Sequence, residues 1–198
     1  MNNGIDIEFV RETYRKMSDK ELERVATQDT AGLTPEAQEI VREEVQRRGL
    51  DMAIVKGVQV QNKEATIDEI DSYCALIRDM ECPSCGSSDA RLNGTLTSEV
   101  ISVIVFTHRE KKVKIACPDC LDKANSKALV KSVLLGWWGI PWGIIRTIQA
   151  LITNIKNKKT NHLAEPNKYL RGFVLSKIGQ FETYKNDKER LREIITAE

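Results

Sequence analysis

Histidine is nearly absent from this 198-residue chain: His108 and His162 are the only two. Neither has a partner at catalytic or ligand spacing, so both read as surface residues. No phosphate-binding glycine loop occurs, and no serine or threonine sits in a nucleophile motif. The carboxylates form no Asp/Glu/His cluster. These absences argue against an enzyme. Aromatic residues make up only 6% of the chain, and no apolar run reaches unbroken the ~20 residues that a spanning helix needs. The first residues, MNNGIDIEFV, lack the basic stretch and apolar core of a signal peptide, which predicts a cytoplasmic setting. Thiols stay reduced there, so paired cysteines favour metal over disulfides.

What is present describes a folded protein: 41% hydrophobic and 30% charged residues, enough for one medium domain or two small ones. The net charge of +1 hides an asymmetry, since residues 1–80 carry 11 Lys/Arg against 17 Asp/Glu and residues 81–198 carry 19 against 12. An anionic partner should meet the second half.

Four of the five cysteines fall in two pairs, Cys82-Pro83-Ser84-Cys85-Gly86 and Cys117-Pro118-Asp119-Cys120. Two residues between thiolates let each pair reach one ion, and two pairs complete a tetrahedral sulfur shell for structural Zn2+. Proline after the first cysteine and glycine after the second suit the tight turn of a metal-binding knuckle. An empty redox pair and a rubredoxin-like iron are the rivals. Four protein ligands leave no position open for substrate, which disfavours a catalytic metal. Cys74, beside Ile70, Tyr73 and Ile77, reads as a small buried apolar residue.

Helix signals dominate the first eighty residues. A short helix is expected over about residues 5–16. Ser18 and Glu21 form a capping box before Leu22, Val25 and Ala26. Thr34-Pro35 opens a helix that turns Ile40, Val41 and Val45 inward and stops at Gly49. A second capping box, Thr66 with Glu69, precedes Ile67, Ile70, Cys74 and Ile77 at helical spacing. From Ala90 to Ala116 β-prone residues take over, with turns expected at Asn93-Gly94 and His108–Lys112, and the 31 residues between Cys85 and Cys117 leave room for three strands. A helix is expected after Pro166, ending near Gly179, and another from Asn186 with Glu189 in the capping position.

Between Lys131 and Lys156 the chain carries a single charge, Arg146, and all three tryptophans, Trp137, Trp138 and Trp142. Gly136, Gly139, Pro141 and Gly143 break the segment into two short helices, roughly 126–136 and 141–156, joined at a sharp bend. Three readings follow: a hairpin lying in one membrane leaflet, a buried hairpin, or a partner-binding surface built on Trp137, Trp138, Pro141, Trp142, Ile144 and Ile145. Tryptophan's preference for the bilayer interface and the lysines on both flanks favour the membrane, with both ends on its cytoplasmic, anionic side. The basic stretch containing Arg109, Lys111, Lys112 and Lys114 allows phosphate contact with nucleic acid. A solvated turn is the stronger reading there, because no aromatic residues interleave the charges.

The motifs ECPSCG, CPDC and LLGWWGIPWGIIRTIQAL, together with LTPEAQEIVREEVQRRGL, resemble a group of uncharacterised bacterial zinc-ribbon proteins. The resemblance implies a bacterial origin and the pairing of a ribbon with an apolar hairpin, but no activity. The expectation is an α+β fold in five segments: an N-terminal helical module (1–50), connecting helices (51–80), a zinc ribbon with a small antiparallel sheet (81–125), a Trp-rich hairpin (126–160) and an amphipathic tail (161–198). The expected function is a non-enzymatic zinc-ribbon adaptor at the cytoplasmic membrane face, whose N-terminal helices engage a protein partner. A soluble nucleic-acid-binding ribbon and a self-assembling scaffold with a buried hairpin are the alternatives.

Overall fold

The computed structural model describes residues 7–29, 32–62, 65–103, 106–138 and 142–197. Among them the fold is α+β, with ten α-helices and one two-stranded antiparallel sheet. The chain divides into two compact units, Met1–Ile70 with Val174–Leu191, and Asp71–Phe173 with Arg192–Glu198.

The first unit holds α1 (Ile7–Lys16), α2 (Asp19–Arg24) with a π-helical turn at Val25–Asp29, α3 (Pro35–Arg47) and α4 (Met52–Asn62). Both expected caps form. Ser18 accepts from the Glu21 N–H while the Glu21 carboxylate accepts from the Ser18 N–H, and Thr34 accepts from the Ala37 N–H. Each satisfies amides that a helix start leaves bare. The core gathers Tyr14, Leu22, Val25, Ala26, Ile40, Val41, Val45, Ile54, Val55 and Val58. Arg48 closes the other end of α1, donating to the carbonyls of Tyr14, Arg15 and Met17. A cation there complements the negative end of the helix dipole.

The tail departs from expectation. Helix α8 (Lys168–Ser176) stops early, and a further helix, α9 (Ile178–Tyr184), runs through Gly179 and packs on α4 within the first unit. The last helix, α10 (Lys188–Thr196), is capped by Asp187, whose Oδ1 accepts from the Glu189 and Arg190 amides. Asn186 therefore lies just outside the cap.

Helix α5 (Ile67–Arg78), which enters the second unit at Asp71, leads to the first cysteine pair, then to strands β1 (Asn93–Val103) and β2 (Phe106–Ala116) and helices α6 (Pro118–Leu135) and α7 (Trp142–Asn161). Thr66 and Glu69 form their capping box at the start of α5. Two long strands replace the three short ones expected. The His108–Lys112 stretch pairs throughout with residues of β1, in a register running from Asn93 opposite Ala116 to Val103 opposite Phe106. Gly94 is no turn either; a Cβ there would fall 2.6 Å from the Leu170 nitrogen, so the glycine lets α8 approach the strand. The expected helical hairpin exists with longer arms, and both arms pack on β1.

That packing is polar. The β1 edge away from β2 lies against α6 and α7, whose side chains bond its main chain. Asn154 accepts from the Ser98 N–H at 3.1 Å and donates to the Ser98 carbonyl at 2.8 Å. Ser132 accepts from the Val100 N–H at 3.1 Å, and Asn157 donates to the Leu96 carbonyl at 2.6 Å. Side-chain amides thus take the place of a neighbouring strand, which covers an edge otherwise open to wrong pairing.

Candidate metal centre and exposed hairpin

Each cysteine pair is built by a different piece of chain. In the first, the Gly86 N–H donates to the Cys82 carbonyl at 2.8 Å and the Cys82 N–H to the Ser87 carbonyl at 2.9 Å. This turn puts Gly86 at φ +74°, a backbone conformation that side chains rarely adopt. The second pair is not a knuckle but the start of a helix. Cys117 is the N-cap of α6, Pro118 its first residue, and Cys120 lies in the first turn. Proline fits there because the first helical N–H has no partner to lose. Knuckle, hairpin and helix together carry the four sulfurs.

Those sulfurs, of Cys82, Cys85, Cys117 and Cys120, all lie within 4.8 Å of one another. A tetrahedral shell with ~2.3 Å metal–sulfur bonds has edges of roughly 3.8 Å. The Cys85 and Cys117 sulfurs are 3.8 Å apart. The donor set and its size therefore fit a metal ion.

Electrostatics point the same way. Burial pushes the Cys82 thiol up, but N–H groups of Cys117, Ser84 and Cys85 outweigh it and bring the thiol down to about 6. The Cys117 amide sits 3.3 Å from the Cys82 sulfur. Burial, the Cys117 and Cys85 sulfurs and the charge at Cys82 push Cys120 up to about 12. Four thiolates this close repel one another, and a divalent cation offsets that repulsion. Cys74 stands apart: it is fully buried, and burial pushes its thiol up to about 11.

The helical hairpin is turned inside out. On α7 the buried residues are Gly143, Thr147, Ala150, Asn154, Asn157 and Asn161; on α6 they are Leu121, Asn125, Ala128 and Ser132. These steps of three and four residues trace one stripe per helix. On the other side, α7 exposes Ile144, Ile145, Ile148, Ile152 and Ile155, and α6 exposes Val130, Val133, Leu134 and Leu135. Trp137, Trp138 and Trp142 near the bend are 41%, 69% and 63% exposed. Pro141 lies outside the described residues. Twelve large apolar side chains are thus exposed on the hairpin.

The basic stretch does not form one free surface. Arg109 donates to Ser98 Oγ at 3.0 Å and to Gln149 Oε1 at 2.9 Å, and Lys112 pairs with Glu110 at 3.4 Å. Lys111 is exposed and Lys114 half-buried, three residues apart on a strand and hence on opposite faces. His162 gains a partner that its spacing did not reveal, since its Nε2 lies 3.0 Å from Asp122 Oδ2.

Metal centre and bend mark opposite ends of the sheet. Ala116, next to Cys117, pairs with Asn93, whereas a Cβ on Gly143 would fall 2.8 Å from Ser102 Oγ near the other end of β1. Nine residues of strand put about 30 Å between Asn93 and Ser102. Among the described residues no helix is long and apolar enough to cross a membrane. No family model, curated protein or solved structure matches this chain.

Proposed function

We propose that this protein is a non-enzymatic adaptor in which a structural zinc centre holds a Trp-rich helical hairpin for insertion into the cytoplasmic face of a membrane. The observation that carries the reading is the inverted hairpin, whose polar and small residues pack on β1 while its isoleucines and tryptophans, with Leu134 and Leu135, face outward. In water such a surface is costly, and in the interfacial layer of a bilayer it is favourable. Four cysteine sulfurs within 4.8 Å of one another, two of them 3.8 Å apart, support zinc as the ion, with four protein ligands leaving no position for substrate.

Charge supports the same orientation. Lys123 and Lys127 lie on α6 before the apolar stretch, and Lys156, Lys158 and Lys159 lie on α7 after it. From Trp142 to Lys156 the helix rises about 21 Å. That depth carries the bend through roughly one ~15 Å hydrocarbon leaflet while the lysines stay among anionic headgroups. The acidic first unit remains available for a protein partner.

Flotation tests this. Zinc-loaded protein should rise with vesicles rich in phosphatidylglycerol and rise less with phosphatidylcholine alone. The triple variant Trp137→Ser, Trp138→Ser, Trp142→Ser should stay at the bottom with both. Wild type that stays at the bottom with every vesicle, or a triple variant that floats like wild type, would overturn the reading. Wild type that instead forms lipid-free oligomers, lost in the triple variant, would move the hairpin to a protein interface.

A further inference from the structure

A buried guanidinium in the second unit lacks the partners its charge requires. Arg78, the last residue of α5, is 6% exposed. Its Nη2 donates to the Ala164 carbonyl at 2.7 Å, while Nε and Nη1 have no hydrogen-bond partner. Burial disfavours its charged form most, followed by the neighbouring Arg91, and the nearby Cys74, Asp79 and Glu165 offset this only in part. A buried charge left this way is costly, and native proteins answer it with a counter-ion or a water.

Arg78 lines a cleft of about 390 Å³ together with Arg91, Arg171, Asp71, Asp79 and Glu165. Two of the arginines are already engaged. Arg171 holds Asp71 through two bonds of 2.7 and 3.0 Å, and Arg91 meets Asp79 at 3.2 Å. Glu165 holds no arginine, and its side chain is exposed. The cleft therefore contains a buried Arg78 with two nitrogens unbonded and an exposed Glu165 that acts on Arg78 and Arg171 without a hydrogen bond to either.

We propose that this cleft binds a small oxyanion, with Arg78 as the primary contact and Arg91 as the second arm. Phosphate and carboxylate share the required chemistry, since both accept several N–H bonds at once from guanidinium groups. The unpartnered Arg78 nitrogens are shielded from solvent, and the exposed Arg91 and Glu165 line the same cleft. Three arginines against three carboxylates leave the unliganded cleft near neutral. Glu165 competes with the incoming anion, and the site is accordingly modest in affinity.

Calorimetric titration of the zinc-loaded full chain tests this, with inorganic phosphate in one arm and acetate in the other, both against chloride at equal ionic strength. Saturable binding of at least one oxyanion is expected, and the arm that binds tells a phosphorylated ligand from a carboxylate. Because Arg78 variants could unfold the protein, the discriminating variants lie at the outer side. Arg91→Ala should weaken binding on the order of tenfold, and Glu165→Gln should tighten it. No saturable heat in either arm, or equal affinities in wild type, Arg91→Ala and Glu165→Gln, would overturn the proposal.

Discussion

Asn154 carries the sharpest test of the inverted hairpin. Its side chain is fully buried, bonds both main-chain groups of Ser98, and accepts from Asn125 Nδ2 at 3.3 Å. Alanine there leaves the buried Ser98 N–H bare and its carbonyl with only the Ser132 hydroxyl at 3.5 Å, each loss costing about 1–3 kcal/mol. Asn154→Ala should therefore destabilise the protein by about 3 kcal/mol, or roughly 6–12 °C in Tm for a chain of this size. Ile148 and Ile152, on the opposite side of α7, are 46% and 47% exposed. Replacing either by serine should change stability by no more than about 0.5 kcal/mol. An ordinary amphipathic helix predicts the reverse order. Urea unfolding of the zinc-loaded protein, followed by circular dichroism, measures all three variants. If Asn154→Ala costs less than either isoleucine change, the reasoning about the polar seam is wrong.

Glu44, 5% exposed and bonded by Arg47 and Arg48, is held down to about 2 from its ordinary value of 4.5. A lowered carboxylate contributes stability above the unfolded value and loses it as pH falls. Wild type should exceed Glu44→Gln by about 2 kcal/mol near neutrality, with the gap closing between pH 4.5 and 2; a gap constant with pH in thermal melts would refute this. Purified protein should carry one zinc per chain, and its removal by chelator should raise hydrogen exchange at the start of α6 while leaving α1 to α3 unchanged. Absence of metal, or unchanged exchange after chelation, would count against the centre.

Local chemistry was legible wherever a short-range rule decides the outcome. Ser18 with Glu21, Thr34-Pro35 and Thr66 with Glu69 cap the helices that their spacing announces. The four metal-site cysteines meet as their pairing requires. The errors arose where one local signal has two uses. Cys117-Pro118 looks like Cys82-Pro83, but Leu121 follows the second pair where Gly86 follows the first. Without a residue suited to positive φ the chain continues as a helix, and Pro118 serves as its first residue. Gly179 reads as a helix stop, yet α9 runs through it, and a Cβ on Gly57 would fall 2.7 Å from its carbonyl, so Gly57 permits the contact between α4 and α9.

The hairpin was harder because apolar residues draw attention as packing candidates. Its inward face is instead written in Asn, Thr, Ala and Gly, at positions 143, 147, 150, 154, 157 and 161 on α7. That repeat of four and three is visible in the sequence. What it packs against is not, because the partner is main chain: the edge of β1 offers N–H and C=O groups, which no hydropathy pattern records.

A seam of amides gains little from the expulsion of water, so its strength depends on the solvent around it. Water competes for every N–H and C=O that the seam pairs, and a less polar surrounding removes that competitor. The stripe that faces outward shows the opposite dependence, since it is penalised in water and relieved in an oily medium. Both changes have the same sign, so drying the outer surface tightens the joint between strand and helices as it rewards the isoleucines and tryptophans. A hairpin made this way grips its own strand more firmly when it is wrapped than when it stands in water.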